Sequence, residues 1–113
     1  MTDTTTIEPV VTQYTVCALP DGHDEYSYFA LTVDRVMGYE GVSGWAVRRM
    51  GRCLDARGEW DWEPQPSSRT DEWIATHRHD LDTALILAKA AAPLVKLNGH
   101  SVADVLGRPG VQA

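Results

Sequence analysis

The chain has 113 residues, 43% of them hydrophobic and 23% charged, with 16 acidic against 10 basic side chains and a net charge of −6. That length suits one compact domain. The composition is not that of a disordered chain, and there is no run of about 18 apolar residues to span a membrane as a helix. The acidic balance disfavours generic affinity for nucleic acid backbones, which reward clustered Lys and Arg.

Residues 1–9 are polar and rich in threonine, and read as a flexible leader; residues 108–113 read as a flexible tail. The leader lacks the basic end and apolar stretch of a secretory signal. Cys17 and Cys53 are the only cysteines, too few to staple a small secreted fold and without metal-binding C-x-x-C spacing. Both point to a cytoplasmic protein with reduced thiols.

Between these ends, residues 10–107 read as a single α+β domain whose character changes near Pro64. Val10 to Leu19 is rich in β-branched and aromatic residues and reads as a first strand. Pro20-Asp-Gly22 turns the chain, and residues 21–25 read as a solvated acidic tip. Tyr26 to Arg35 is a second strand, with Phe29, Leu31 and Val33 on one face by period two. Gly38, Gly41 and Gly44 punctuate a loop. Trp45 to Leu54 is a third strand, with Trp45 and Val47 on one face.

Residues 55–58 then form a hairpin loop, and Glu59 to Glu63 is a fourth strand. It carries Trp60 and Trp62 on one face and its three acids on the other. If the four residues 55–58 form the loop, Leu54 faces Glu59, Cys53 faces Trp60 and Arg52 faces Asp61. Trp60 and Trp62 then share the core face with Trp45, Val47, Gly51 and Cys53. Arg48 and Arg52 pair with Glu59, Asp61 and Glu63 on a solvated face, each pair contributing about 0.2–1 kcal/mol.

Pro64 and Pro66 break the sheet. Ser68 followed by Asp71 predicts a capped helix over residues 69–78. Asp80 predicts a second cap, for a helix from Leu81 to Ala92 whose alanines permit close approach to a sheet. Leu94 to Leu97 reads as a short strand, Asn98-Gly99 as a turn, and Ser101 with Asp104 as a capping signature for a helix over Val102 to Leu106. Gly107 is placed to end it. The expected architecture is a four-stranded antiparallel β-meander with two to three C-terminal helices packed on its Trp60/Trp62 face.

Gly44-Trp-Ala-Val-Arg-Arg49, Cys53-Leu-Asp55, Glu59-Trp-Asp-Trp-Glu-Pro64, Ser67-Ser-Arg69 and Asp80-Leu-Asp-Thr-Ala-Leu85 form a pattern with the closing Asn98-Gly99 and Ala103-Asp-Val-Leu106. Across about 60 residues it resembles small proteins of actinobacteria and their phages or mobile elements. The resemblance implies a cytoplasmic setting and no particular activity, and it carries over no catalytic residue.

No G-x-S-x-G motif, phosphate-binding loop or dinucleotide fingerprint is present. The residues therefore lean against an enzyme, and they call for no cofactor. The leading expectation is a non-catalytic interaction or regulatory protein that binds a protein partner or a second copy of itself. Its contacts would come from Trp62, Pro64, Pro66, Arg69 and Trp73, or from an open sheet edge. A competing reading is a small metal-assisted or acid–base enzyme using His77, His79 and Asp80. Spacing weakens it, because side chains two apart on a helix point about 200° apart. A third reading, a nucleic-acid regulator built on Arg48, Arg49, Arg52 and Arg57, is disfavoured because the expected register sets the tryptophans on the opposite face from Arg48 and Arg52.

Overall fold

In the computed structural model, described here for residues 7–37 and 43–107, the chain is α+β. A five-stranded antiparallel sheet is followed by helices. Its strands are β1 (Gln13–Val16), β2 (Leu31–Met37), β3 (Ser43–Arg49), β4 (Arg52–Leu54) and β5 (Trp60–Trp62), in that spatial order. A helical turn α1 (Tyr26–Phe29) precedes β2. The later helices are α2 (Asp71–His77), α3 (Leu81–Ala91) and α4 (Val102–Leu106), with a small hairpin of β6 (Lys96–Leu97) and β7 (His100–Ser101) between the last two. Residues 38–42, with Gly38 and Gly41, and most of the expected leader and tail lie outside the described residues.

The fifth strand arises because the expected third strand is really a hairpin. Met50 and Gly51 both take positive φ, 51° and 78°. This is the backbone of a two-residue turn that matches strand twist, and Gly51 adopts it without steric cost. Arg49 therefore faces Arg52. The expected second strand also starts late. Turns from Pro20 to His23 and from His23 to Tyr26 carry the chain into α1, so extension begins at Leu31. His23, expected at a solvated tip, is buried, and its Nδ1 accepts the Glu25 N–H at 3.0 Å.

The β4–β5 register differs from the expected one by a single residue. Leu54 faces Trp60, Cys53 faces Asp61 and Arg52 faces Trp62. The cause is local. The Asp55 carbonyl accepts from the Gly58 N–H at 3.0 Å, and the Asp55 N–H donates to the Glu59 carbonyl at 2.9 Å. Gly58 has φ +84°. This is a three-residue loop, Ala56-Arg57-Gly58, closed by a left-handed glycine, in place of the expected four-residue loop.

One face of the sheet builds the core. Register places Tyr14, Val16, Leu31, Val33, Trp45, Val47, Leu54 and Trp60 on it. Val33, Val47 and Leu54 are fully buried there with Ala84 and Ala88 of α3. The small alanine side chains let the helix lie close to the strands. Asp80 caps α3 by accepting the Thr83 N–H at 2.8 Å. Ser101 and Asp104 close a reciprocal capping box on α4. The expected strand at 94–97 is shorter and pairs locally with β7 around Asn98-Gly99.

The helices do not all pack on one face. α2 lies over the other side of the sheet, where the Cys53 thiol donates to the His77 carbonyl at 3.6 Å and the Arg78 guanidinium reaches the Cys53 sulfur. Its cap is Thr70, which accepts the Trp73 N–H at 3.0 Å, in place of the expected Ser68. Pro66–Ser68 is instead spent in a 3₁₀ turn. Among the described residues, no helix is long and apolar enough to cross a membrane.

Candidate functional site

The register places tryptophan and arginine together. Arg52 and Trp62 are directly opposed across β4 and β5, and the Arg52 guanidinium carbon lies 4.7 Å from the centre of the Trp62 ring. Trp62 is 66% exposed. Trp60, two residues earlier on the same face, is half-buried against the core. A cleft of about 340 Å³ opens beside them, lined also by Arg49, Met50, Leu94, Val95 and Lys96. Three of its lining residues are cationic and none is acidic, in a chain whose net charge is −6.

Arg49 is the partly buried cation of the three. Its Nη1 donates to the Ala30 carbonyl at 3.0 Å, while its Nη2 is buried and meets no acceptor among the described residues. Burial pulls its guanidinium below the ordinary arginine value. Leaving such a group unsatisfied costs about 1–3 kcal/mol. Met50 and Leu94, 65% and 77% exposed, give the cleft an apolar rim. A second cavity of about 340 Å³ shares Trp60 and Leu94 with it and continues over Leu54, Leu87 and Ala91. Cations and apolar surface therefore run together along the β5 edge of the sheet.

The opposite face is electrostatically closed. Glu63, with a side chain 11% exposed, meets three guanidinium groups. Arg48 binds it through both carboxylate oxygens at 2.7 Å, and Arg69 and Arg78 approach at 2.8 and 2.9 Å. Arg48 also reaches Asp34 at 3.4 Å. The expected pairing of Arg48 with Glu63 is thus present, but Arg52 has left it for Trp62. Burial alone would push the Glu63 carboxyl up. The hydrogen bonds and charges of Arg48 and Arg78 outweigh it and hold the group below its ordinary value of 4.5.

The residues singled out in the sequence are divided between these faces. Trp62 lines the cationic cleft. Pro64 offers its carbonyl to Arg69 Nε at 2.9 Å, and Pro66 opens the 3₁₀ turn. Trp73 is half-buried, stacked on His77 with ring centres 4.1 Å apart. Arg69 and Arg78 both lie over the Trp73 ring.

The structure does not gather His77, His79 and Asp80. His77 turns to Asp61, with Nε2 2.8 Å from Oδ2. His79 extends the sheet by pairing its backbone with Trp45 at 2.8 and 3.0 Å, and its Nε2 donates to the Leu54 carbonyl. Asp80 is the α3 cap. Among the described residues, the grouping of ligand-type side chains within mutual reach is Asp55, Asp61 and His77. Cys17 and Cys53 are both free. Burial pushes the Cys53 thiol up against the lowering influence of Arg78, which suits a packing role over a nucleophilic one.

The cleft escaped the sequence reading because its parts become neighbours only through the Met50-Gly51 turn and the Gly58 loop. The Asp55-Ala-Arg-Gly58 pattern, with Asp opening a turn and Gly at its left-handed end, was the available signal. Compared with protein-family models, with curated proteins and with solved structures, the chain matches none of them.

Proposed function

We propose that this chain is a non-catalytic interaction protein that takes an acidic segment of a partner protein into the Arg49/Arg52/Trp62/Lys96 cleft. The observation that carries the reading is the stacking of Arg52 on the exposed Trp62 ring, in a cleft lined by three cations and no acid. Arginine and tryptophan at a desolvated centre are the residues from which binding hot spots are built. A carboxylate would pair with the exposed Arg52 and Lys96 side chains, and the Met50 and Leu94 rim suits an apolar neighbour on the same segment. The setting proposed is the bacterial cytoplasm, of phage or mobile-element type, as the sequence resemblance implies.

A protein segment is favoured over nucleic acid. The objection that tryptophan and arginine lie on opposite faces no longer holds for Arg52 and Trp62. Yet the cleft holds only three cations, enough for a carboxylate or two but not the extended basic track that a nucleic acid backbone rewards. The aliphatic lining also fits side chains better than stacked bases.

The test is selection of peptides from a random display library on the wild-type chain and on its Trp62→Ala and Arg52→Glu variants. The reading expects peptides enriched in Asp and Glu around a bulky apolar residue, and loss of that enrichment on both variants. No enrichment, or equal enrichment on the variants, overturns it. Tight binding of an oligothymidylate that depends on Trp62 would replace it with the nucleic-acid reading.

A further inference from the structure

On the opposite face, we infer that Asp55, Asp61 and His77 form a binding site for a divalent transition-metal ion of the Zn²⁺ type. The three come from different elements: the hairpin loop, strand β5 and the last turn of α2. One ligand atom from each lies within 4.8 Å of the others. They line one side of a cavity of about 280 Å³ that also includes Glu72 and Thr76. A tetrahedral ion with Zn–N and Zn–O bonds of about 2.0–2.2 Å holds its ligand atoms about 3.3 Å apart. Closing the set is therefore a matter of side-chain rotation, chiefly of Asp61, which is exposed.

The surroundings orient the ligands as a metal site requires. His77 Nδ1 lies 2.8 Å from both the Trp73 carbonyl and the Thr76 hydroxyl. With Nδ1–H donating to that carbonyl, Nε2 can give up the proton it now shares with Asp61 Oδ2, at 2.8 Å, and turn its lone pair to an ion. Metal-binding histidines are held in this way, through the other ring nitrogen and a backbone carbonyl. The Trp73 ring, within 3° of parallel, fixes the imidazole plane.

Asp55 is 4% exposed. Its Oδ1 accepts the Arg57 and Glu59 N–H groups at 2.9 Å each, which locks the carboxylate. Among the described residues, its Oδ2 meets the exposed Arg57 guanidinium at 3.7 Å, a distance too long for a hydrogen bond. One imidazole with two carboxylates suits Zn²⁺ and its borderline neighbours over Ca²⁺, which wants six to eight oxygens. Binding displaces the Nε2 proton that now bridges His77 and Asp61. The cavity of about 280 Å³ has space for water at the remaining position.

The test is calorimetric titration of the untagged, chelator-stripped chain with Zn²⁺, repeated with Asp61→Ala, Asp55→Asn and a His100→Ala control. The expected result is one equivalent bound, affinity lowered at least about tenfold by each Asp change, and no change in the control. A visible absorption spectrum of the Co²⁺-loaded chain that shifts in Asp61→Ala supplies a second readout if Asp55→Asn fails to fold. Absence of stoichiometric binding, or equal affinity in Asp61→Ala, overturns the inference.

Discussion

Arg52 faces Trp62 across the last two strands of the sheet, with its guanidinium carbon 4.7 Å from the ring centre. The pair is surface-exposed, so its contribution to folding is small, about 0.5–1 kcal/mol. A double-mutant cycle of Arg52→Ala and Trp62→Ala in urea unfolding should return a coupling of that size. Both single variants should stay folded, which separates a role in binding from a role in stability.

The register that creates this pair depends on Gly58. Its φ is +84°, and a Cβ built there would meet nothing within 4 Å. Substitution is therefore opposed by backbone conformation alone. Gly58→Ala should cost about 1–2 kcal/mol, and Gly58→Asn less, since Asn tolerates left-handed geometry. Chemical denaturation of the two variants checks the order. Equal costs would contradict the loop geometry.

The sheet was legible in the sequence up to parity. Reading residues 45–54 as one strand missed the Met50-Gly51 hairpin, and reading residues 55–58 as the loop missed the three-residue turn. Each error inverts the faces that follow, so together they cancel. Trp60 and Trp62 do share a face with Trp45 and Val47, and Arg48 does share one with Asp61 and Glu63. Only β4 was turned over, which sent Arg52 and Leu54 to the tryptophan side and Cys53 to the acidic side. The helices were clearer, because Asp80, Ser101 and Asp104 act through local hydrogen bonds. Positive φ at Met50 was not legible, since a non-glycine residue there is held by the strands on both sides. His77 stood out in the sequence, but its partners Asp55 and Asp61 lie far away along the chain and meet it only through tertiary packing.

Glu63 should make stability acid-sensitive. Its carboxyl is held below 4.5 in the folded chain by Arg48 and Arg78. A depressed folded value means that the contribution is present above the unfolded value and lost as pH falls through the folded one. The melting temperature of the wild type should therefore drop below about pH 4.5, and Glu63→Gln should flatten that part of the profile. At neutral pH the same variant leaves three guanidinium groups without their shared carboxylate and should cost about 3 kcal/mol.

The α2 cap offers a local check. Thr70 accepts the Trp73 N–H, whereas Ser68 belongs to the preceding 3₁₀ turn. Thr70→Ala should cost about 1 kcal/mol and Ser68→Ala only a few tenths. Thermal melts of the two variants decide between the caps.

The most direct test of the interaction reading is an amide and indole NMR titration of the wild-type chain with a peptide recovered by display. The account predicts shifts at Arg49–Arg52, Leu94–Lys96 and the Trp60 and Trp62 indole N–H groups, with the Trp73 indole unmoved. Shifts centred on Trp73, Arg69 and Glu63, with Trp62 unmoved, would contradict it.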